Sequence, residues 1–298
     1  MADDSLVAKT LQKSVKIFCW IMSGKNNFEK ARAVNETWVK RCDKYVYVTT
    51  KNDSGLPNLD FNIPEGRDHL WAKTKATFSW IYQNELENYD WFLKADDDTY
   101  TIMENLRFML LAYSPEDPLH FGCKFKLFTK KGYMSGGAGY VLSREAVRKF
   151  VNESLPYPKL CRQDGQGNED VEIGKCLENV GVIAGDSRDS DGRHRMLPFS
   201  PMIYHEPLKN RADTKWFFGY TSYPFQEGKD CCSDYMVTFH YVTPETMYAI
   251  ENFLYHIRPI GSVDDLWNQA LEKSEKTENL IETLRNISKT ISYHDPKK

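Results

Sequence analysis

Three adjacent carboxylates in "WFLKADDDTY" are the residues of this sequence most able to do chemistry. Asp96, Asp97 and Asp98 directly follow an apolar stretch that is typical of a buried strand. Because neighbouring carboxylates repel one another, a fold keeps them together where water surrounds them, where they cap a helix, or where a cation neutralises them. In an extended segment Asp96 and Asp98 face one side and Asp97 the other, so the first and third acids could hold one cation.

The position of this acidic pair at a strand end indicates what its cation could bind. The carboxyl ends of strands in open α/β sheets border the crevice where ligands bind, and a cation there can neutralise a diphosphate. The alternative is that Asp98 or Thr99 is the N-cap of a helix over "TYTIMENLRFMLLAY", with its acidic neighbours in solvent. Both interpretations stay open on the sequence alone.

Three further features could contribute to the same site. His240 in "VTFHYV" is either a structural histidine of a strand or a third metal ligand, and a site with an imidazole suits Mn²⁺ better than Mg²⁺. Glu169 and Asp170 lie in the first turn of a predicted helix, where they serve the helix dipole or provide a general base. The glycines of "SGGAG", including Gly136 and Gly137, form a turn or allow close approach of a sugar or phosphate.

Strands and helices alternate along the chain and must position these residues. The predicted strands are "SVKIFCWIM", "KYVYVTT", "DWFLKA", "VGVIAGDSRD" and "YMVTFHYV", and helical patterns lie between them. This alternation predicts an α/β fold with a mainly parallel sheet and helices on both faces. The sequence has neither GxGxxG after the first strand nor GxxxxGK[ST], so phosphates must be bound by other means.

Composition excludes several classes of protein. The 298 residues include 41% hydrophobic and 13% aromatic side chains, as in an ordered globular protein. The net charge of -3 provides no broad basic field, so we expect no nucleic-acid partner. The longest apolar run, Ile17 to Met22, is far shorter than the roughly 20 residues that span a bilayer. We therefore predict that the chain as given is soluble.

Cysteines and glycosylation sequons favour a secretory address. Seven cysteines are an odd number, and without CxxC spacing they indicate disulfides rather than zinc or thioredoxin-like chemistry. Candidate N-glycosylation sites are Asn35, Asn52, Asn152 and Asn286. Together these features predict a lumenal or extracellular protein whose targeting segment is missing from this sequence.

We divide the chain into three segments. Residues 1–13 are interpreted as a stem or expression-derived segment, residues 14–262 as the catalytic domain, and residues 263–298 as a helical tail. The tail contains one apolar helical stripe, formed by Leu280, Leu284, Ile287 and Ile291.

Eight motifs occur in an order that is specific to one enzyme family. They are "CWIMSG", "EGRDHLWAKT", "WFLKADDDTY", "GYMSGGAGYVLS", "NEDVEIGKC", "AGDSRD", "CCSD" and "FHYV". From about Val15 to about Gly261 the chain resembles the core 1 β1,3-galactosyltransferases of glycosyltransferase family 31. The resemblance implies a GT-A fold, a Golgi lumenal location, a type II membrane anchor absent from this sequence, and a homodimer.

The resemblance also implies a reaction and the residues that perform it. The reaction is transfer of galactose from UDP-galactose to O3 of GalNAc linked to Ser or Thr, with inversion at the anomeric carbon. Matched motif by motif, Asp96, Asp98 and His240 are the expected Mn²⁺ ligands, and Asp170 is the expected base. The expected donor-binding residues are Lys73, Asp97, Gly136 and Gly137. The expected acceptor-binding residues are Glu169, Trp216 and Tyr220.

Two other functions compete with this interpretation. A chaperone-like relative could resemble the enzyme without catalysing transfer, but the intact acidic triplet argues against it. A glycoside hydrolase could use Asp98 and Asp170 as paired carboxylates. Strict dependence on a nucleotide sugar and a metal would exclude the hydrolase.

The positions of the cysteines suggest how they pair. Cys19 ends the first strand and Cys42 precedes the second, so a Cys19–Cys42 bridge would join neighbouring elements. A further bridge would close a short loop onto a helix, and two adjacent cysteines would form a vicinal disulfide. These two further pairs are Cys161–Cys176 and Cys231–Cys232. Cys123 lies outside the family's pattern, so we expect it to be the free thiol.

Overall fold

The structure is a computed structural model that describes residues 6–50, 55–257 and 277–292. Its strands are β1 (Ile17–Met22), β2 (Lys44–Val48), β3 (Asn58–Leu59), β4 (Trp91–Asp96), β5 (Tyr100–Thr101), β6 (Leu119–Gly122), β7 (Lys124–Phe125), β8 (Tyr133–Met134), β9 (Tyr140–Ser143), β10 (Ile183–Ala184) and β11 (Thr238–Phe239). Its α-helices are α1 (Leu6–Ser14), α2 (Phe28–Glu36), α3 (Leu70–Asn84), α4 (Met103–Leu110), α5 (Arg144–Lys149), α6 (Glu169–Asn179), α7 (Phe217–Tyr220), α8 (Pro244–Glu251) and α9 (Thr277–Thr290).

One mixed sheet organises the described part of the chain. Within the described residues it has seven strands, in the order β10-β6-β9-β4-β1-β2-β3. The central strand β1 runs parallel to β2 and β4, whereas β9 is antiparallel to β4 and β6. The predicted α/β fold with a mainly parallel sheet is therefore confirmed.

The side chains of β1 show why helices cover both faces of the sheet. Ile17, Cys19 and Ile21 belong to one buried cluster, which includes residues of α2 and α4. The alternate residues of β1 belong to a second cluster, which includes residues of α3, α5 and α6. Because successive side chains of a strand point to opposite faces, a strand that is apolar throughout needs a helical layer on each side.

The helix after the acidic triplet begins later than predicted. The interpretation of Asp98 or Thr99 as its N-cap is wrong, because α4 starts at Met103 and Ile102 occupies the N-cap position. The intervening β5 is held in an extended conformation by antiparallel pairing with β11. This pairing also brings His240, the residue after β11, close to the acids.

The two terminal helices of the described chain pack on the same helix. α1 and α9 contact each other and α4. The predicted stripe of α9 places Leu280 and Leu284 in the core, and Ile287 packs against that core from a partly buried position. The division of the chain into three segments stays a prediction. Across the described residues, no helix has both the length and the apolar character needed to cross a membrane.

The cysteines pair in the structure as their positions suggest. Disulfides join the three expected pairs, Cys19 to Cys42, Cys161 to Cys176 and Cys231 to Cys232. Cys123 is a buried free thiol, and burial raises its pKa.

The four sequons differ in their surroundings. Asn152 and Asn286 are exposed, and Asn35 is partly buried. Asn52 lies outside the described residues. Glycosylation of these residues stays a prediction.

Candidate active site

The acids at the end of β4 meet His240 beyond the end of β11. His240 Nε2 lies 3.2 Å from Asp98 Oδ1 and 3.9 Å from Asp96 Oδ2. One potential ligand atom from each of the three residues falls within a common span of 4.8 Å. The structure thus brings together the three predicted metal ligands from two separate strand ends.

The chemistry of this cluster fits a divalent cation. Two carboxylates and an imidazole are ligands that such cations accept. Although burial works to raise it, hydrogen bonds from His240 and Lys30 hold the pKa of Asp98 well below its usual range, so this acid is charged. Gly137 leaves room for the imidazole, because a Cβ at this position would lie 2.1 Å from His240 Cε1.

Two lysines that the sequence analysis missed neutralise the same acids. Lys94 Nζ lies 2.5 Å from Asp96 Oδ1, and Lys30 Nζ lies 3.0 Å from Asp98 Oδ2. Lys94 could have been found from the sequence, since it precedes Asp96 by two residues and so shares its face of the strand. Lys30 carries no such signal, because it lies on α2, 68 residues before Asp98.

Asp97 points away from the other two acids, as the alternation of a strand predicts. Its Oδ2 accepts hydrogen bonds from Ser23 Oγ at 2.7 Å and from Asn27 Nδ2 at 2.9 Å. Burial raises the pKa of Asp97 to about 6, against the effect of these hydrogen bonds. The side chain therefore anchors the loop after β1, and its expected role in donor binding stays a prediction.

Glu169 and Asp170 are neighbours on α6 with different partners. Glu169 is buried, and its Oε1 accepts hydrogen bonds from Thr74 Oγ1 and Tyr140 Oη at 2.9 and 2.6 Å. Asp170 Oδ2 accepts a hydrogen bond from the Gly136 N–H at 3.1 Å. Burial raises the pKa of Asp170, although backbone hydrogen bonds act to lower it. A raised pKa suits a carboxylate that exchanges a proton during a reaction.

One cavity of about 650 Å³ joins the metal-ligand cluster to Asp170. Lys73 lines it and lies 2.7 Å from Glu65 Oε2, so the predicted donor-site lysine is paired with an acid that the sequence analysis did not single out. Gly136 and Gly137 line the cavity between the cluster and Asp170. The structure thus places the predicted donor residues and the predicted base around a common space.

Aromatic side chains form another wall of the same cavity. Trp216 and Tyr220, two of the three predicted acceptor residues, lie with ring centroids 5.3 Å apart. Phe125 packs against both, at 5.8 and 5.7 Å between ring centroids, and Tyr133 packs on Phe125 at 5.7 Å. Phe125 and Tyr133 carry no sequence signal of their own, because buried aromatic residues on short strands are usually core residues.

Comparison with known proteins places this site in a family. The profile of the family described as Fringe-like matches residues 15–189 of this chain. The chain belongs to the Fringe-like family. A glycoprotein-N-acetylgalactosamine 3-beta-galactosyltransferase 1 from Xenopus laevis is 43% identical over 263 residues, which are 88% of this chain and 72% of that protein.

One further relative and one solved structure are less similar to this Fringe-like chain. A beta-1,3-glucosyltransferase from Mus musculus is 26% identical over 175 residues, which are 57% of this chain and 35% of that protein. A crystal structure of an active-site mutant of LgtC aligns with a TM-score of 0.41 and 11% identity, covering 94% of this chain and 98% of that chain.

Family membership decides between the classes of function. The resemblance to glycosyltransferase family 31 and the expectation of a glycosyltransferase are confirmed. The intact acidic cluster and the homology favour an enzyme over a non-catalytic chaperone. This class of enzyme implies a nucleotide sugar as donor and a glycoprotein as acceptor. The acidic cluster agrees with a divalent cation in such an enzyme.

Proposed function

We propose that this chain transfers galactose from UDP-galactose to O3 of GalNAc α-linked to Ser or Thr of glycoproteins, making the core 1 O-glycan. The observation that carries the proposal is one cavity lined by both the cluster of Asp96, Asp98 and His240 and the carboxylate of Asp170. The Xenopus relative, whose name states this acceptor and this sugar, supports the choice of substrates.

The donor would bind at the carboxyl ends of β1 and β4. Asp96, Asp98 and His240 would hold Mn²⁺, which when bound would neutralise the charge that grows on the departing diphosphate. The loop anchored by Asp97 and the buried Lys73 line the same cavity and would position the nucleotide. The absence of a glycine-rich phosphate loop from the sequence agrees with this arrangement.

The base would be Asp170. A sugar hydroxyl is a poor nucleophile at neutral pH, so a carboxylate must take its proton as it attacks. In one in-line displacement the bond from O3 to the anomeric carbon forms, the bond to UDP breaks, and the proton passes to Asp170. Because the donor is α-linked and the product β-linked, a single displacement inverts the carbon without a covalent intermediate.

The acceptor would lie against the aromatic wall of Trp216 and Tyr220. Aromatic rings pack well on the apolar faces of sugars while nearby polar groups orient the hydroxyls. Asp170, in the first turn of α6, would then contact the acceptor hydroxyl. We further propose a Golgi lumenal address, a type II membrane anchor and a homodimer, as the family resemblance implies.

Product analysis tests the proposed function. The protein is incubated with UDP-galactose, Mn²⁺ and a GalNAc-bearing peptide, and the product is analysed by mass spectrometry and NMR. We expect one added galactose in β1,3 linkage, and no transfer after chelation of the metal. UDP-glucose is the control donor, because a distant relative is a glucosyltransferase. A glucosylated product, an α-linked galactose, or release of galactose from a simple galactoside without nucleotide sugar would refute the proposal.

A further inference from the structure

Lys94 is a buried lysine between the metal-ligand cluster and the predicted base. Its residue is 3% exposed, and its Nζ donates hydrogen bonds to Asp96 Oδ1 and, at 3.0 Å, to the carbonyl oxygen of Gly136. The ring centroid of Tyr140 lies 5.9 Å from the same nitrogen. A buried ammonium is costly unless it is paired and hydrogen-bonded, so this arrangement holds Lys94 in one place.

Gly136 connects Lys94 to Asp170 through a short stretch of backbone. Its carbonyl accepts the hydrogen bond from Lys94, and its N–H donates to Asp170 Oδ2 at 3.1 Å. The neighbouring Gly137 carbonyl accepts a hydrogen bond from Thr99 Oγ1 at 2.8 Å, which holds the same turn from the side of the acidic triplet. A displacement of the ammonium would therefore move the donor that orients Asp170.

We propose that Lys94 is a positioning residue of the transfer reaction, coupling the metal-ligand carboxylate of Asp96 to the base Asp170 through the Gly136 turn. This inference rests on the proposed function and adds a residue that neither the motifs nor the family match assigns. The competing explanation is that Lys94 only neutralises buried acids and has no influence on the base.

Electrostatics support the same coupling. The ionisable groups that act on Asp170 come from four elements: Lys94 and Asp96 on β4, Tyr133 on β8, Tyr140 on β9 and Glu169 on α6. Lys94 is the cation in this group, and its charge lowers the pKa of Asp170, which burial raises. Without that charge the pKa of Asp170 rises further. A base must be ionised to act. As the pH is lowered, kcat would therefore begin to fall at a higher pH than in the wild type.

The test compares Lys94→Met with Lys73→Met. Lys73 is the matched control, because it is equally buried at 3% exposure and lines the same cavity but pairs with Glu65 instead of Gly136. In Lys94→Met we expect kcat to fall by about 10- to 100-fold, since a small misplacement of a catalytic group has effects of this size. The acidic limb of the kcat profile should move up by about one pH unit. In Lys73→Met we expect a higher KM for the donor and an unmoved acidic limb.

A second readout does not depend on activity. Carboxyl ¹³C NMR of the metal-free protein, with the Asp170 signal assigned from Asp170→Asn, measures the pKa of Asp170 directly. We expect it to rise by about one unit in Lys94→Met and to stay at the wild-type value in Lys73→Met. A wild-type protein without transfer activity refutes the proposed function, whereas an unmoved pKa of Asp170 in folded Lys94→Met refutes only the coupling.

Two further variants separate charge from position. Lys94→Arg keeps the positive charge and serves if Lys94→Met does not fold. We expect a wild-type pKa for Asp170 and a lower kcat, because a guanidinium cannot reproduce the two hydrogen bonds of the ammonium. The double variant Lys94→Met/Asp170→Asn should be about as slow as Asp170→Asn alone. Wild-type kcat in Lys94→Arg, or losses that multiply in the double variant, would overturn the proposal.

Discussion

The cavity contains two acidic stretches, Asp96 to Asp98 and Glu169 to Asp170. Each has one inward-facing acid, but their cavity-facing acids have different neighbours. In each stretch one acid turns into the protein and accepts hydrogen bonds from side chains: Asp97 from Ser23 and Asn27, and Glu169 from Thr74 and Tyr140. The cavity-facing acids differ. Asp96 and Asp98 have cationic or imidazole neighbours, whereas Asp170 has backbone N–H groups.

This difference separates a site for a cation from a site for a proton. Hydrogen bonds from His240 and Lys30 keep the pKa of Asp98 low even though burial works to raise it, so this acid remains an anion that can bind a metal. Burial raises the pKa of Asp170, so this acid can exchange a proton nearer to neutral pH. Two carboxylates that line one cavity thus acquire different chemistry from their environments, as in other enzymes that pair acids.

The largest expected effect comes from removing the cation. We predict that EDTA abolishes transfer and that Mn²⁺ restores it, because the cluster of Asp96, Asp98 and His240 then faces the diphosphate without a counter-charge. Asp98→Asn should weaken binding of UDP in the presence of Mn²⁺, measured by calorimetry. Full transfer activity in a chelated sample would show that the first stretch is not a cation site, and the proposed difference between the two stretches would be wrong.

Asp170→Asn tests the other stretch. The variant preserves the shape of the side chain and its hydrogen bond from Gly136 but removes its basicity. We predict that kcat falls by about 10² to 10⁴ or more while binding of UDP-galactose and Mn²⁺ is nearly unchanged. Glu169→Gln is the matched control, and the opposite ranking of the two variants in kcat would assign the base to Glu169.

Much of this comparison could be predicted from the sequence, because it depends on local periodicity. The strand that ends in three acids must point the first and third the same way, and acids in the first turn of a helix are readily identified. The same rule would have added Lys94 to the face of Asp96. The alternation of strands with helices was likewise sufficient for the fold class.

The remainder depends on contacts between distant parts of the chain. The pairing of β5 with β11 delays the start of α4 and brings His240 to the acids, and no local pattern indicates that pairing. Lys30 on α2 reaches Asp98, and Phe125 on β7 packs against Trp216 in the aromatic wall. Such contacts follow from tertiary packing, which overrides local propensity.

A smaller effect is expected for His240→Ala. His240 contributes one of three potential ligands, so its loss should weaken the cation site without removing it. We predict a decrease in activity of about 10- to 100-fold at limiting Mn²⁺, and partial recovery as the Mn²⁺ concentration is raised. Titrations of activity against Mn²⁺ provide the measurement. Asp170→Asn is the contrasting variant, because excess Mn²⁺ should not restore its lost activity. A His240→Ala variant whose activity does not respond to Mn²⁺ would exclude His240 as a ligand.

The smallest effect is expected at Asp97, the acid of the first stretch that turns inward. Asp97→Asn keeps an oxygen that can accept the hydrogen bonds from Ser23 and Asn27, and it removes a buried charge whose pKa is raised to about 6 by burial. We therefore predict a free energy of unfolding at pH 7 within about 1 kcal/mol of the wild type and a KM for UDP-galactose within about threefold.

Asp97→Ala leaves Ser23 and Asn27 without their hydrogen-bond acceptor, which costs about 1 to 3 kcal/mol of unfolding free energy. It also frees the loop after β1, so the KM for UDP-galactose should rise by about tenfold. Denaturant unfolding and donor titrations of the two variants measure these effects. If Asp97→Asn raised the donor KM as much as Asp97→Ala, the charge of Asp97 rather than its anchoring of the loop would matter, and the inward-facing acid would belong with Asp96 and Asp98.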